Sequence, residues 1–301
     1  MIAVVSHDAG GAEILSSWLL RRDEPYCLAL EGPAKSIFQR KIGCIQIISL
    51  LDAIELSDWV LCGTSWQSDL ERQAVIDAKK SGKKVVVFLD HWTHYEERFL
   101  SHGVAIYPDE IWVGDAIALE MACKYFPNVV VSMVGNPYLE DLRYDLEKLK
   151  PNVINSNICS VLYVCEPVRE HALKMYGNEH HWGYTEEEAV QYFCENTGAL
   201  DFSIKNIKIR PHPSEDKAKY NWVLQTTSLP INVGGDKTLL EEIAEADVVI
   251  GCESMAMVVA LLAKRRVISA IPPGGKPCSL PQPEIEQLRV LLANYEDVRH
   301  G

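Results

Sequence analysis

Residues 247–270 read Asp-Val-Val-Ile-Gly-Cys-Glu-Ser-Met-Ala-Met-Val-Val-Ala-Leu-Leu-Ala-Lys-Arg-Arg-Val-Ile-Ser-Ala. The opening run, 248–251, is short, apolar, rich in β-branched residues and closed by glycine, which reads as a buried strand. Residues 255–263 are apolar at helical length, and Ser254 stands where an N-cap belongs. Residues 266–270 are strand-like again. Strand, capped helix and strand in such close succession make a βαβ crossover, and a crossover of this kind joins parallel strands.

The same alternation extends from this unit in both directions. Further strands are expected at 161–165 and 207–210, with helices over 186–196 and 237–246. Toward the amino terminus the spacing predicts strands at 1–6, 26–31, 59–63, 84–89, 110–113 and 129–134, with helices over 13–22, 69–81 and 115–125. The fold class is α/β: two tandem Rossmann-like, doubly wound parallel-sheet domains facing a cleft. The break falls at Val134-Gly135-Asn136-Pro137, before a charged helical stretch at 138–150, Pro151 and an Asn-rich turn at 152–157. The expected domains are 1–137 and 138–283. A last helix, 284–296, follows the Pro- and Gly-rich segment 272–283 and is expected to pack back on the first domain.

A chain of 301 residues with 48% hydrophobic content can fill two cores of ordinary size. Its net charge of −13 leaves no broad cationic surface, which argues against nucleic acid and polybasic membrane docking as partners. No apolar run approaches the roughly 18 residues a membrane span requires, and polar His7-Asp8 follows the first strand with no basic leader. A cytoplasmic protein is expected. The nine cysteines include no C-x-x-C pair, so reduced, mostly buried thiols are expected, with no zinc cage.

Four strand ends concentrate chemistry. Arg210-Pro211-His212-Pro213 follows a strand, and the prolines stiffen an imidazole suited to a phosphate or leaving-group oxygen. Gly251-Cys252-Glu253-Ser254 opens a helix whose free N–H groups make an anion site; there Glu253 would meet a ribose hydroxyl or an amine. Glu166 stands at another strand exit beside Arg169, where a surface salt-bridge network is the plainer reading. In the first half, His7-Asp8-Ala9-Gly10-Gly11 lets a ligand approach the backbone at a helix start, and Asp8 or His7 can serve as a general base. Asp90-His91-Trp92-Thr93-His94-Tyr95 adds an acid–imidazole pair and aromatic rings that can stack on a sugar or a base. Each stretch also has a plainer reading as a stiff turn, a helix cap or packing. Gly63-Thr64-Ser65-Trp66-Gln67 lies at an analogous exit. His180-His181, being adjacent on a loop, is assigned no metal.

The Arg-Pro-His-Pro strand end with the downstream Gly-Cys-Glu-Ser helix start resembles the HP and serine motifs of GT-B glycosyltransferases. The likeness is to bacterial sialyltransferases, polysialyltransferases and the CDP-glycerol glycerophosphotransferase group. The linker Val134-Gly135-Asn136-Pro137 is similar to the junction of the wider superfamily, which includes UDP-N-acetylglucosamine 2-epimerases. The resemblance implies a glycosyltransferase acting on a nucleotide-activated, cytidine-linked sugar donor, with no metal and no other cofactor. It places Arg210, His212, Gly251, Glu253, Ser254 and Glu166 on the donor. Asp8, Asp90, His91 and His212 become the candidate catalytic residues, with His7, Gly10, Gly11 and Trp92 toward the acceptor. That acceptor would be a glycan, a lipid-linked sugar or a protein. The alternatives are a UDP-sugar epimerase or hydrolase of the same fold, a CDP-glycerol-type phosphotransferase, and a nucleotide-sugar-binding protein without catalysis.

Overall fold

A computed structural model describes residues 1–65, 68–101, 103–149 and 157–300, and for 296–300 the backbone alone. Trp66, Gln67 and the linker residues 150–156 lie outside the described residues. The chain divides into two compact units, Met1–Asp141 and Leu142–Gly301.

The first unit runs β1 (Ile2–Ser6), α1 (Ala9–Leu19), β2 (Tyr26–Leu30), α2 (Ala34–Ile42), α3 (Leu50–Leu56), β3 (Trp59–Cys62), α4 (Leu70–Lys80) and β4 (Lys84–Leu89). A two-stranded antiparallel hairpin, β5 (Leu100–Ser101) and β6 (Val104–Ala105), precedes β7 (Glu110–Val113), α5 (Ala116–Tyr125) and β8 (Val130–Met133), and α6 (Pro137–Leu149) runs across the division into the second unit. The six main strands are parallel in the order β2-β1-β3-β4-β7-β8. Central β1 has Ile2, Ala3, Val4, Val5 and Ser6 all buried, as a strand covered on both faces must be. Its order reverses between β1 and β3, so the carboxyl ends of those two strands mark the switch point where open α/β sheets take ligands.

The second unit continues with β9 (Ile158–Val164), α7 (Val168–Tyr176), α8 (Glu186–Glu195), β10 (Ser203–Arg210), α9 (Val223–Thr226), β11 (Ile231–Val233) and α10 (Leu239–Glu245). It closes with β12 (Val248–Gly251), α11 (Met255–Leu262), β13 (Arg266–Ser269), β14 (Ile285–Gln287) and α12 (Leu288–His300). Its six parallel strands lie in the Rossmann order β11-β10-β9-β12-β13-β14, with the reversal between β9 and β12. Ser254 does cap α11, accepting the N–H of Ala256 at 3.2 Å.

Two expectations need correction. α1 starts at Ala9 and not at the expected residue 13, so the two glycines are helical; glycine is required there by close approach and not by a loop, since a Cβ on Gly11 would lie 3.1 Å from the Gly63 Cα. The closing segment departs further. Residues 285–287 form edge strand β14 beside β13, and Leu288, Leu291 and Leu292 of α12 pack into the core of the second unit with Phe193, Ile207 and Ile268, where the sequence reading puts this helix on the first domain. The physical reason is that Leu288 is wholly buried by its own unit's sheet. Of the nine cysteines, all free, Cys62, Cys159, Cys165 and Cys252 are buried while Cys44 and Cys123 are exposed.

Truncating Leu288 to Ala should therefore destabilise the protein by about 2–5 kcal/mol. Hydrogen exchange would locate the loss: protection should fall in β9, β10 and β12 to β14 and stay unchanged in β1 to β4.

Candidate functional site

In the first unit, three strand ends converge. After β4, Asp90 Oδ1 accepts hydrogen bonds from Thr64 Oγ1 at 2.7 Å, which joins the ends of β3 and β4, and from Arg98 Nη1 at 2.6 Å, a largely buried ion pair within the segment after β4. Its other oxygen lies over Gly10, where a Cβ would come within 2.1 Å of Oδ2. Asp90 is thus placed against the start of α1, with its carboxylate already engaged. After β1, His7 Nδ1 and Asp8 Oδ1 are 2.6 Å apart, and Asp8, although at the N-cap position of α1, makes no side-chain cap hydrogen bond. The pair gives an imidazole oriented by a carboxylate, the arrangement that general-base chemistry uses. Gly10 and Gly11 belong to the first turn of α1.

A residue that sequence reasoning passed over lies beneath this pair. Glu71, on the first turn of α4, is buried at 4% exposure, and its Oε1 accepts the His7 backbone N–H at 2.6 Å. Burial raises the Glu71 carboxyl to about 7; the His7 N–H works against that rise and the Asp8 charge adds to it. Among the described residues Glu71 Oε2 is buried without a hydrogen-bond partner and, with Gly63, Thr64, Arg72 and Arg98, Glu71 lines a small cavity of about 10 Å³.

Of the other residues of the Asp90 stretch, Trp92 and Tyr95 are packed inward, His91 and Thr93 are half-buried and His94 is exposed. Trp92 is 6% exposed and donates its indole N–H to Asp115 Oδ2 at 3.0 Å, while Asp115 Oδ1 caps α5 through the Ala118 N–H at 2.8 Å. The ring that the sequence offers as a stacking platform serves here as a tether between β4 and β7. His91 sits edge-on to it at 5.7 Å, with Nδ1 3.0 Å from Thr93 Oγ1. Tyr95 is buried and stacks on Phe126.

In the second unit the adjacent ends of β10, β9 and β12 carry His212, Glu166 and Glu253-Ser254. The His212 loop is shaped from below. Fully buried Glu215 accepts the His212 N–H at 2.8 Å through one oxygen, and through the other it accepts from Lys219 Nζ at 2.8 Å and the Tyr220 hydroxyl at 2.9 Å. Lys219 also bonds Glu186, which in turn accepts the Arg169 N–H at 2.6 Å. Ser214 N–H donates to His212 Nδ1 at 3.2 Å, which leaves the ring proton on Nε2. Burial lowers the His212 pKa; Glu215 opposes this, His171 adds to it and Glu170 opposes it. The imidazole is therefore a neutral hydrogen-bond donor near pH 7.

The turn before α11 is not vacant for a phosphate. Glu166, across from it at the end of β9, accepts the Glu253 N–H at 2.8 Å, and the N–H groups of Cys252 and Ser254 also favour its charge. Burial nevertheless dominates and raises Glu166 to about 7. The anion site anticipated from sequence is filled by the chain's own carboxylate. Glu253 points elsewhere: it pairs with Lys276 Nζ at 2.6 Å and accepts from Ser279 Oγ at 2.7 Å, fastening segment 272–283 to the turn. Arg210 is committed to Glu242, at 2.5 Å, and to the Lys237 carbonyl at 2.9 Å. Gly251 is a packing position, since a Cβ there would lie 2.8 Å from Val164 Cγ2. His181 stacks on Tyr176 with ring centroids 3.6 Å apart. Among the described residues no group of three or more His, Cys, Asp or Glu side chains is placed to hold a metal ion, and no helix is long and apolar enough to cross a membrane.

The structure brings together His7 with Asp8, Asp90 with Gly10, and Glu166 with the Glu253-Ser254 turn; it turns Arg210, Trp92 and the Glu253 carboxylate to internal partners. Glu71, Arg98, Thr64, Glu215 and Lys219 complete these clusters. The only advance signal for them was Thr64, Arg98 and Glu215 lying within or beside the quoted strand exits.

No protein-family model matches the chain, and no curated protein matches it. Among solved structures, the UDP-GlcNAc 2-epimerase from Methanocaldococcus jannaschii aligns with a TM-score of 0.56 and 12% identity, over 89% of this chain and 83% of that one. A structure described as the glycotransferase of kitacinnamycin aligns with a TM-score of 0.55 and 12% identity, over 100% of this chain and 90% of that one. At such identity the likeness is one of fold: the chain has the GT-B-like α/β architecture of two parallel-sheet units.

The Glu71 assignment has a pH signature. From its ordinary 4.5 up to about 7 the unfolded chain has released this proton while the folded protein keeps it, so stability falls as pH rises through that window. Glu71→Gln should raise unfolding stability at pH 8 by on the order of 3 kcal/mol and leave it unchanged at pH 4. Denaturant melts across that range would show a constant difference instead if Glu71 ionised normally.

Proposed function

We propose that this chain is a metal-independent, inverting glycosyltransferase that moves a sugar from a nucleotide-activated donor to a hydroxyl acceptor in glycan synthesis. The observation that carries the reading is the second unit's switch point, where His212, Glu166 and the Glu253-Ser254 turn stand on three neighbouring strand ends. The GT-B-like fold supports it. With the α11 turn filled by Glu166, the nucleotide is read by two complementary groups: Glu166 accepts from a ribose hydroxyl, and His212 Nε2–H donates to a phosphate oxygen. Of the donors the motif resemblance implies, a cytidine-linked, sialic-acid-like sugar is the one we adopt.

In the reaction the acceptor hydroxyl gives its proton to His7, which Asp8 orients, and its oxygen bonds to the anomeric carbon. The bond from that carbon to the phosphate oxygen breaks, and the electron pair leaves with the nucleotide, whose growing charge His212 meets. Between the two carboxylates named for the base, the geometry favours Asp8 acting with His7, since Asp90 is held by Arg98 and Thr64. A single displacement inverts the anomeric centre. A second reading, epimerisation of a UDP-sugar, is favoured by Glu166: a carboxyl raised to about 7 can both give and take a proton near neutrality.

Calorimetric titration with CMP, CDP, UMP, UDP and GDP tests the reading. Cytidine nucleotides should bind selectively and His212→Ala should weaken them. Uridine preference would replace the transferase reading with the epimerase one, and absence of binding to all five would remove both. With the donor in hand, His212→Ala should lower kcat by about a hundred- to thousandfold, the scale of losing one donor to a developing oxyanion.

A further inference from the structure

Away from the strand ends just described, the first unit carries a second concave surface. Trp59 and Lys84 open β3 and β4, Trp112 lies in β7, and Trp18 comes from the last turns of α1. Together with Arg22, Glu24 and Val86 they line an open pocket of about 380 Å³, within the range of small-molecule sites. Its place is the amino-terminal end of the strands, whereas His7, Thr64 and Asp90 follow the carboxyl ends.

The three indoles form a cluster with centroid distances of 5.6 Å for Trp18 and Trp112, 6.1 Å for Trp59 and Trp112, and 6.3 Å for Trp18 and Trp59. Closing the core does not by itself require this arrangement, because Trp59 and Trp112 remain partly exposed on the pocket wall. Among the described residues the Trp18 and Trp59 indole N–H groups donate to no protein acceptor, while that of Trp112 donates to Glu110 at 2.9 Å. The rim charges cancel. Lys84 Nζ is paired with Glu110 at 2.8 Å, Arg22 lies over the Trp18 ring at 4.9 Å, and Glu24 is exposed. With Lys84 paired, a phosphate would meet only the Arg22 guanidinium, with the Glu24 carboxylate on the same rim, which argues against a nucleotide. What remains is aromatic face flanked by hydrogen-bond donors and one acceptor, the surface that complements a sugar ring with its apolar C–H face and ring of hydroxyls.

We propose that this tryptophan pocket is a second, non-catalytic site that binds a neutral pyranose oligosaccharide. The choice of a glycan rests on the functional reading above, since an enzyme that extends a glycan gains from holding it at a point remote from the chemistry. The full chain labelled with fluorotryptophan tests the proposal by fluorine NMR, the resonances being assigned through Trp18→Phe, Trp59→Phe and Trp112→Phe. Maltohexaose, cellohexaose and chitohexaose are titrated in turn, with glycerol as a ring-free polyol and CMP as a charged ligand. At least one oligosaccharide should shift the Trp18, Trp59 and Trp112 signals saturably while glycerol and CMP leave those three unmoved. Trp59→Ala should weaken that binding by about tenfold or more, and Glu24→Gln, which leaves the core untouched, should weaken it measurably. The proposal is overturned if no oligosaccharide gives a saturable shift, or if shifts fall only on other tryptophans. The two readings fail separately: CMP binding that depends on His212 without any saccharide response removes this site alone, and a saccharide response without nucleotide binding removes the donor assignment alone.

Discussion

Parallel strands can be joined only by a crossover, and in this chain that constraint governs where the chemistry collects. Each strand of the two sheets must leave at one rim and the chain must cross back to the other before the next strand begins, so all the exits of a unit share one rim. The backbone groups there are only partly paired by the ladder. His7, Thr64 and Asp90 lie together because β1, β3 and β4 are neighbours; Glu166, His212 and Ser254 do so because β9 is flanked by β10 and β12. The opposite rim receives the strand starts, and there the first unit displays Trp59, Lys84 and Glu110.

An acidic chain that buries carboxylates must hold each one, because an unpaired buried charge is far more costly than a solvated one. Three different solutions appear. Glu215 and Glu242 are paired to cations, Lys219 and Arg210 respectively. Glu166 is surrounded by backbone N–H groups at a helix start. Glu71 is held by the His7 amide and its own backbone N–H, with no cation paired to it among the described residues. The two that lack a cation are the two raised to about 7, and each lies directly under a strand exit in its own unit.

Much of the architecture was legible because it depends on neighbours in sequence. The strand, cap and helix of 248–262 follow from local pattern, as does the alternation along both halves. What was not legible depends on partners far along the chain. The Arg210 side chain reads as a phosphate ligand until Glu242, 32 residues on, is seen to hold it. The α11 turn reads as an empty anion site until Glu166, 87 residues back, is found in it. Trp92 reads as a stacking face until Asp115 takes its N–H. Short elements such as α2, with only Ala34 and Phe38 buried, give too weak a period to register, and α12 went to its own unit's core because a single leucine could be wholly covered there.

The same separation sets an order of assembly. Strand β9 can pair with β10 soon after both are made, but its other edge stays open until β12 arrives, with Val161, Leu162 and Tyr163 awaiting Val248, Val249 and Ile250. During synthesis β9 therefore spends a long interval with one edge exposed, the form most prone to pair with a wrong partner. Closure comes late: when β12 docks, the open edge of β9 is covered and the Glu253 amide reaches Glu166 in the same step.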